Sequence, residues 1–331
     1  MVTDQAAGPT RGAARRRGGG WPVLCALTLL GLSALLGVRA ADLDGPTPVP
    51  QLLAFLPWLL VPGWVALLFA VLSRRTLLAL WAVVVLAFTG WYVQPYGDDA
   101  RARDGEERAR FRVLTANLGR GGATEELRRF LLREKPQVVA VQECERRCVR
   151  MLADSRVREV YPYRLVDTDG RTTAAGSALL SAFPLSDRGQ VPATMAQPGA
   201  TLEIGALTVR VQVVHPMPPM HDDVPRWERE LTTLRKVAAS RSAGTPTVFA
   251  GDFNSSQDHA VFRRLLDTGL RDSARLRGQS RTPTWPTHTA PPLGAQIDHV
   301  LVSRQLEPAE ARFVDLAGSD HRALLVDLKL Y

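Results

Sequence analysis

Cysteine is scarce in this 331-residue chain, three in all, and so few sulfurs exclude a zinc–thiolate centre. Lysine is equally scarce: Lys135, Lys236 and Lys329 are the whole complement, so the net charge of +8 rests on arginine. From Phe111 onward 30 basic residues face 25 acidic ones, a mild attraction for phosphorylated substrates that arginine-rich codon usage explains equally well. The same region has no internal repeat. Charge itself is missing from residues 21–38, 45–73 and 76–97. Each run is long enough to cross a hydrocarbon core of about 30 Å, so three transmembrane helices are expected, with Trp58, Trp64, Trp81, Trp91, Tyr92 and Tyr96 as interfacial anchors.

Arg11, Arg15, Arg16 and Arg17 precede the first run and Arg74 and Arg75 separate the second from the third, whereas Asp42 and Asp44 lie between the first two. Basic segments stay inside. The expected organisation is a basic cytoplasmic N-terminus (1–20), a three-span region (21–97) in the plasma membrane, a charged linker (98–110) and an extracytoplasmic domain (111–331). The alternative is a cleavable signal peptide over residues 11–40, ending at Val38-Arg39-Ala40, which leaves the domain on the same side. There Cys144 and Cys148 either close a local disulfide or remain as two thiols.

In the outer domain strands alternate with helices and with direct hairpins, an α/β pattern of more than one sheet. Thr124 is placed to cap a helix bearing Leu127, Phe130 and Leu131 on its apolar face, Pro225 to open another, and Asp258 to cap a third through Leu266. Val138–Val141 and Thr247–Ala250 are continuous apolar runs, as in strands buried on both faces. Polar motifs end or begin such runs: Thr115-Ala116-Asn117, Gln142-Glu143, His215-Pro216, Gly251-Asp252-Phe253-Asn254, Asp298-His299 and Gly318-Ser319-Asp320-His321. Strand ends hold side chains rigidly while leaving them accessible.

Hydrolysis of a phosphodiester needs charge neutralisation at phosphate, an oriented water and a proton for the leaving alkoxide. Oxygen donors favour a hard cation, Mg²⁺ or Mn²⁺, with Glu143 the first candidate ligand and Asn117 and Asp320 beside it. Asp252 is suited to accept a proton or align water, and Asn254 to donate to a phosphoryl oxygen. His215 and His321 can carry protons near neutral pH, with Asp298 a natural partner for His321. His299 faces either the site or the core, and Trp285, in Thr284-Trp285-Pro286-Thr287, serves either as a substrate contact or in packing.

In this order the motifs resemble the endonuclease/exonuclease/phosphatase superfamily over residues 111–331, with Gly176-Ser177-Ala178-Leu179-Leu180-Ser181 as a further match. The resemblance implies a four-layer α/β sandwich of two mixed sheets flanked by helices. It implies metal binding at Glu143 with Asn117 and Asp320, water alignment by Asp252, phosphate stabilisation by Asn254 and orientation of His321 by Asp298. His215 is similar to the leaving-group acid of the DNase-like branch, although its acidic partner has no clear equivalent beyond Asp167 or Asp169, and no abasic-site loop is evident. The expected activity is a metal-dependent phosphodiester hydrolase, nuclease-like first, with a phospholipid or sugar phosphate as the rival substrate. A catalytically silent phosphate-binding surface domain is the reading from another class. The expected partners are the phosphodiester and a lipid bilayer, with no protein partner.

Overall fold

The structure, a computed structural model, describes residues 20–97, 105–168, 175–242, 244–289 and 293–331. The charge-free runs form a helical bundle: α1 (Trp21–Ala40), α2 (Val49–Ala54), a 3-10 turn over Leu56–Leu59, α3 (Leu60–Leu72) and α4 (Thr76–Tyr92). The expectation of three full-length spans needs correction. Among the described residues only α1, with 20 residues, is long and apolar enough to cross a membrane by itself. The second run breaks at Phe55, two residues before Pro57, leaving 13 residues in α3, and α4 has 17, about 25 Å of helix.

The bundle closes on small residues. Gly63, Ala66, Ala70 and Ala82 let α1, α3 and α4 approach, and a Cβ on Gly63 would crowd the Leu86 side chain. Large apolar side chains face outward instead, among them Leu27, Leu30, Trp64, Leu68, Leu77, Leu80, Phe88 and Trp91.

The remainder is built on two six-stranded sheets. The first contains β1 (Ala109–Asn117), β2 (Val138–Gln142), β3 (Tyr163–Asp167) and β4 (Ser177–Ser181). The second contains β5 (Leu185–Gln190), β6 (Pro198–Ile204), β7 (Leu207–Val214), β8 (Thr247–Asp252), β9 (Arg271–Asp272) and β10 (Asp298–Val302). The chain then returns to the first sheet with β11 (Leu306–Asp315) and β12 (Arg322–Leu330). Strand orders are β11-β12-β1-β2-β4-β3 and β5-β6-β7-β8-β10-β9. Both sheets are mixed, since β1 runs parallel to β2 but antiparallel to β12, and β7 parallel to β8 but β8 antiparallel to β10.

The inner faces meet through Phe111, Val113, Ala140 and Leu179 on one side and Val211, Val213, Ala250 and Val300 on the other. Helices α5 (Thr124–Glu134), α6 (Arg146–Leu152) and α7 (Ser155–Val160) cover the first sheet, and α8 (Val224–Ser240) and α9 (Ala260–Leu266) cover the second. The four-layer α/β sandwich is therefore present. Burial of side chains such as Phe130, Trp227 and Leu231 stabilises the outer layers by roughly 1.5–3 kcal/mol each.

Two helix caps differ from expectation. Thr124 lies inside α5, where its hydroxyl donates to the Gly121 carbonyl at 2.7 Å. Asp258 is buried against Arg281 instead of capping α9. The free N–H groups of Ala260 and Val261 donate to Asp44 of the bundle, at 2.7 and 3.0 Å. This carboxylate, 216 residues away in sequence, does the work expected of a local cap.

Candidate active site

Register brings the polar motifs to one end of the sandwich. Asn117 pairs with Gln142, Val214 with Gly251, and Asp252 with Asp298, so β1, β2, β7 and β8 finish where β10 and β12 begin. Gly251 has no Cβ because one there would overlap the Val214 carbonyl. On the first sheet, the backbones at Gly122 and Gly318 approach so closely that a Cβ on either would strike the other chain segment. That contact holds Ser319-Asp320-His321 against the end of β1, where the Ser319 hydroxyl donates to the Asn117 carbonyl at 2.8 Å.

Contacts link the expected residues in sequence. The Asn117 side-chain amide donates to Asp252 Oδ2 at 3.0 Å and to Glu143 Oε1 at 3.4 Å, while its Oδ1 accepts from the Gly119 N–H. His321 Nε2 lies 3.9 Å from Asp252 Oδ2, and its Nδ1 donates to Asp298 Oδ2 at 2.9 Å. Asn254 donates its backbone N–H to Asp252 Oδ1 at 2.8 Å and its side-chain amide to the Pro216 carbonyl at 3.0 Å, which carries the turn beside His215. Trp285 Nε1 donates to Asp320 Oδ2 at 3.0 Å, and its ring centroid lies 6.4 Å from that of His321. Asp252, Asp298, His215 and His321 are buried, whereas Glu143, Asn254, Trp285 and Asp320 are half-buried at the mouth.

Two carboxylates directly opposite on neighbouring strands repel, and Asp252 and Asp298 are such a pair. Burial first, and the Asp298 charge second, push Asp252 up to about 7 against the His321 ring and the bonds from Asn254 and Asn117. Burial opposes charge on His321 too, but the Asp298 and Asp252 carboxylates outweigh it and carry the imidazole up to about 10. It is an imidazolium at neutral pH. Burial, assisted by that neighbouring cation, drives His215 down to about 3.

A divalent cation fits the donors present. Glu143, Asp252, Asp298 and Asp320 converge with one imidazolium among them, an excess of negative charge, and Asp298 Oδ1 is buried without a hydrogen-bond partner. Glu143 sits in a left-handed backbone conformation (φ 53°) that brings its carboxylate over the Arg120 N–H. Asp252, Asp298 and His321 bring one ligating atom each within 4.8 Å of one another, next to the expected Glu143 and Asn117, the Asn117 amide joining Glu143 to Asp252.

Two further expectations meet the geometry. No acid reaches His215 Nδ1 among the described residues; Asp167 pairs along β3 with Ser177, and Asp169 lies outside the described residues. His215 is held through its backbone N–H by Gln197 Oε1 at 3.0 Å, a residue without any sequence signal. His299 belongs to the core, its Nδ1 2.7 Å from Asp272 and its Nε2 donating to the Ser255 carbonyl. Cys144 and Cys148 form a disulfide immediately after Glu143.

The sequence profile of the Endonuclease/Exonuclease/phosphatase family matches residues 114–321. No curated protein matches the chain. Among solved structures, zebrafish TDP2 complexed with single-strand DNA product is 14% identical with a TM-score of 0.56, over 66% of this chain and 99% of that one. An endonuclease/exonuclease/phosphatase from Beutenbergia cavernae is 19% identical with a TM-score of 0.54, over 67% and 72%. The human Nocturnin catalytic domain with bound sulfate anion is 18% identical with a TM-score of 0.54, over 68% and 95%. At these identities the likeness is one of fold.

Proposed function

The chain belongs to the endonuclease/exonuclease/phosphatase family, and we propose that it is a membrane-anchored, divalent-metal-dependent phosphodiester hydrolase whose catalytic domain lies outside the cytoplasm. The observation that carries this reading is the unbroken chain of contacts from Glu143 through Asn117, Asp252 and His321 to Asp298. Anchoring rests on α1 and on the apolar exterior of the bundle, with α3 and α4 packed on α1 as a hairpin. The hairpin returns the chain to the end where α1 finishes, and the arginines that precede α1 in sequence favour an inside location for the other end, which supports an outer hydrolase.

Glu143, Asn117 and Asp320 would hold the cation, Mg²⁺ or Mn²⁺, which would supply positive charge against the anionic phosphate. Asp252, with its proton affinity near neutral, takes the proton of the attacking water; a base is most effective when its pKa is near the working pH. Asn254 has one N–H committed to Pro216 and a second for a phosphoryl oxygen. His321, kept cationic by Asp298, contacts the phosphate. His215 is neutral in the free protein, and an arriving phosphate anion favours its protonated form beside the leaving oxygen. Trp285 forms the wall and orients Asp320.

The test uses the soluble diester bis-p-nitrophenyl phosphate with purified full-length protein. Asp252→Asn and His321→Ala are each expected to lower turnover by at least ~100-fold. Near wild-type rates in both would refute the assigned roles.

A further inference from the structure

Among the described residues, the hydrogen bonds and ion pairs between the bundle and the hydrolase come from a single end of the bundle, residues 42–51 and 92–97. Asp42 grips Arg263 and Arg264 (2.5 and 3.0 Å), Asp44 caps α9, the Pro50 carbonyl meets His259 Nε2 at 2.8 Å, and Tyr96 donates its hydroxyl to Asp267 at 2.8 Å. Arg281 joins Asp258 to the Tyr92 and Val93 carbonyls. A half-buried ion pair, a buried cap and an arginine bridge fix the domain against the bundle.

The same end of the bundle reaches the two loops that flank the catalytic histidines. Behind His215, the Pro219 carbonyl accepts from Gln51 and the His221 carbonyl from the Thr47 hydroxyl at 2.9 Å. In front of His321, the Trp285 ring stands 6.5 Å from Phe55, centroid to centroid. The large apolar side chains exposed on the described hydrolase are Val166, Met220 and Leu293; Met220 (53% exposed) and Leu293 (45%) sit on these two loops, while the other exposed ones lie within the bundle, from Trp21 to Trp91. Exposed apolar side chains thus stand on the two loops beside the site that the bundle touches.

Resting on the hydrolase reading above, we infer that the substrate is a phosphodiester lipid presented by the bilayer that holds the bundle, and that Phe55, Met220 and Leu293 seat the cleft at headgroup level. A cleft walled by the membrane-side loop reaches a phosphate already lying in the interface, whereas a long polyanion from solution meets that wall and the bilayer together. Exposed apolar side chains gain by entering the interface and have no such gain against a nucleic-acid backbone. The reaction balances as R–O–PO₂⁻–O–R′ plus water: water oxygen forms the new bond to phosphorus, and the P–O bond to the R′ alkoxide breaks. The alkoxide takes a proton, giving an alcohol and a phosphomonoester.

Full-length protein is reconstituted into vesicles of phosphatidylcholine with phosphatidylglycerol and supplied with Mg²⁺. Release of phosphomonoester or alcohol from the vesicle lipids is measured beside turnover of bis-p-nitrophenyl phosphate and of single-stranded DNA added outside. The expected result is lipid turnover exceeding DNA turnover, with Met220→Ser combined with Leu293→Ser lowering lipid turnover about tenfold and leaving the soluble diester within about twofold. Hydrolysis of bis-p-nitrophenyl phosphate without lipid turnover, or DNA turnover above it, overturns the lipid inference and leaves the hydrolase reading standing. Absence of turnover on every substrate overturns the hydrolase reading itself, and an equal loss on lipid and soluble diester in the double variant overturns the seating role.

Discussion

His321 Nδ1 donates to Asp298 Oδ2 across 2.9 Å, and this bond sets the protonation of the site. Asp298 is the foremost of the charges that hold the imidazole protonated up to about 10, so activity that needs the imidazolium persists through neutral pH and falls only as pH rises past that value. On the proposed mechanism the acidic limb belongs to Asp252, which burial and Asp298 raise to about 7, so activity is expected to fall as pH drops below that value. In Asp298→Asn the imidazolium loses its first support, and the alkaline limb is expected to move down by about one to two pH units, read from a kcat/KM profile. An unchanged alkaline limb would show that His321 is not the group that titrates there.

The carboxylate of Asp44 spans bundle and hydrolase by capping α9. Asp44→Ala leaves two buried N–H groups without a partner and is expected to destabilise the protein by about 1–2 kcal/mol. Thermal unfolding in detergent measures the loss, and hydrogen exchange should rise first at residues 260–263. A local, unchanged exchange pattern would mean that α9 is capped some other way.

The Cys144–Cys148 disulfide braces the turn that carries Glu143. Closing so short a loop is worth about 2 kcal/mol in the chain-entropy picture. Cys148→Ser is therefore expected to lower stability by about that amount and to raise the Mg²⁺ concentration for half-maximal turnover by about tenfold. Equal Mg²⁺ dependence in wild type and variant would separate the disulfide from the metal site.

Much of this was readable from residues alone because buried strands announce themselves. Val138–Gln142 and Thr247–Asp252 are fully buried, and their apolar runs end in the polar groups that the site uses. Edge strands do not: β5 carries Asp187 and Arg188, and β11 carries Glu307, Pro308 and Glu310, charges and a proline that an edge tolerates and a pattern reading takes for loop. The missed contacts are tertiary. Nothing near Asp44 points to α9, nothing near Phe55 points to Trp285, and Gln197 holds His215 from 18 residues away. Absence of charge marked residues 45–73 as apolar but carried no information on where Pro57 would end a helix.

The central claim is that oxygen donors around Glu143 hold a divalent cation that hydrolysis requires. Turnover of bis-p-nitrophenyl phosphate by the full-length protein, measured before EDTA, after EDTA and after Mg²⁺ is restored, tests it most directly. The account predicts loss with the chelator and recovery with Mg²⁺ or Mn²⁺, with Glu143→Gln needing at least ~10-fold more cation for the same rate. Turnover insensitive to EDTA, or a Glu143→Gln variant with unaltered cation dependence, would contradict it.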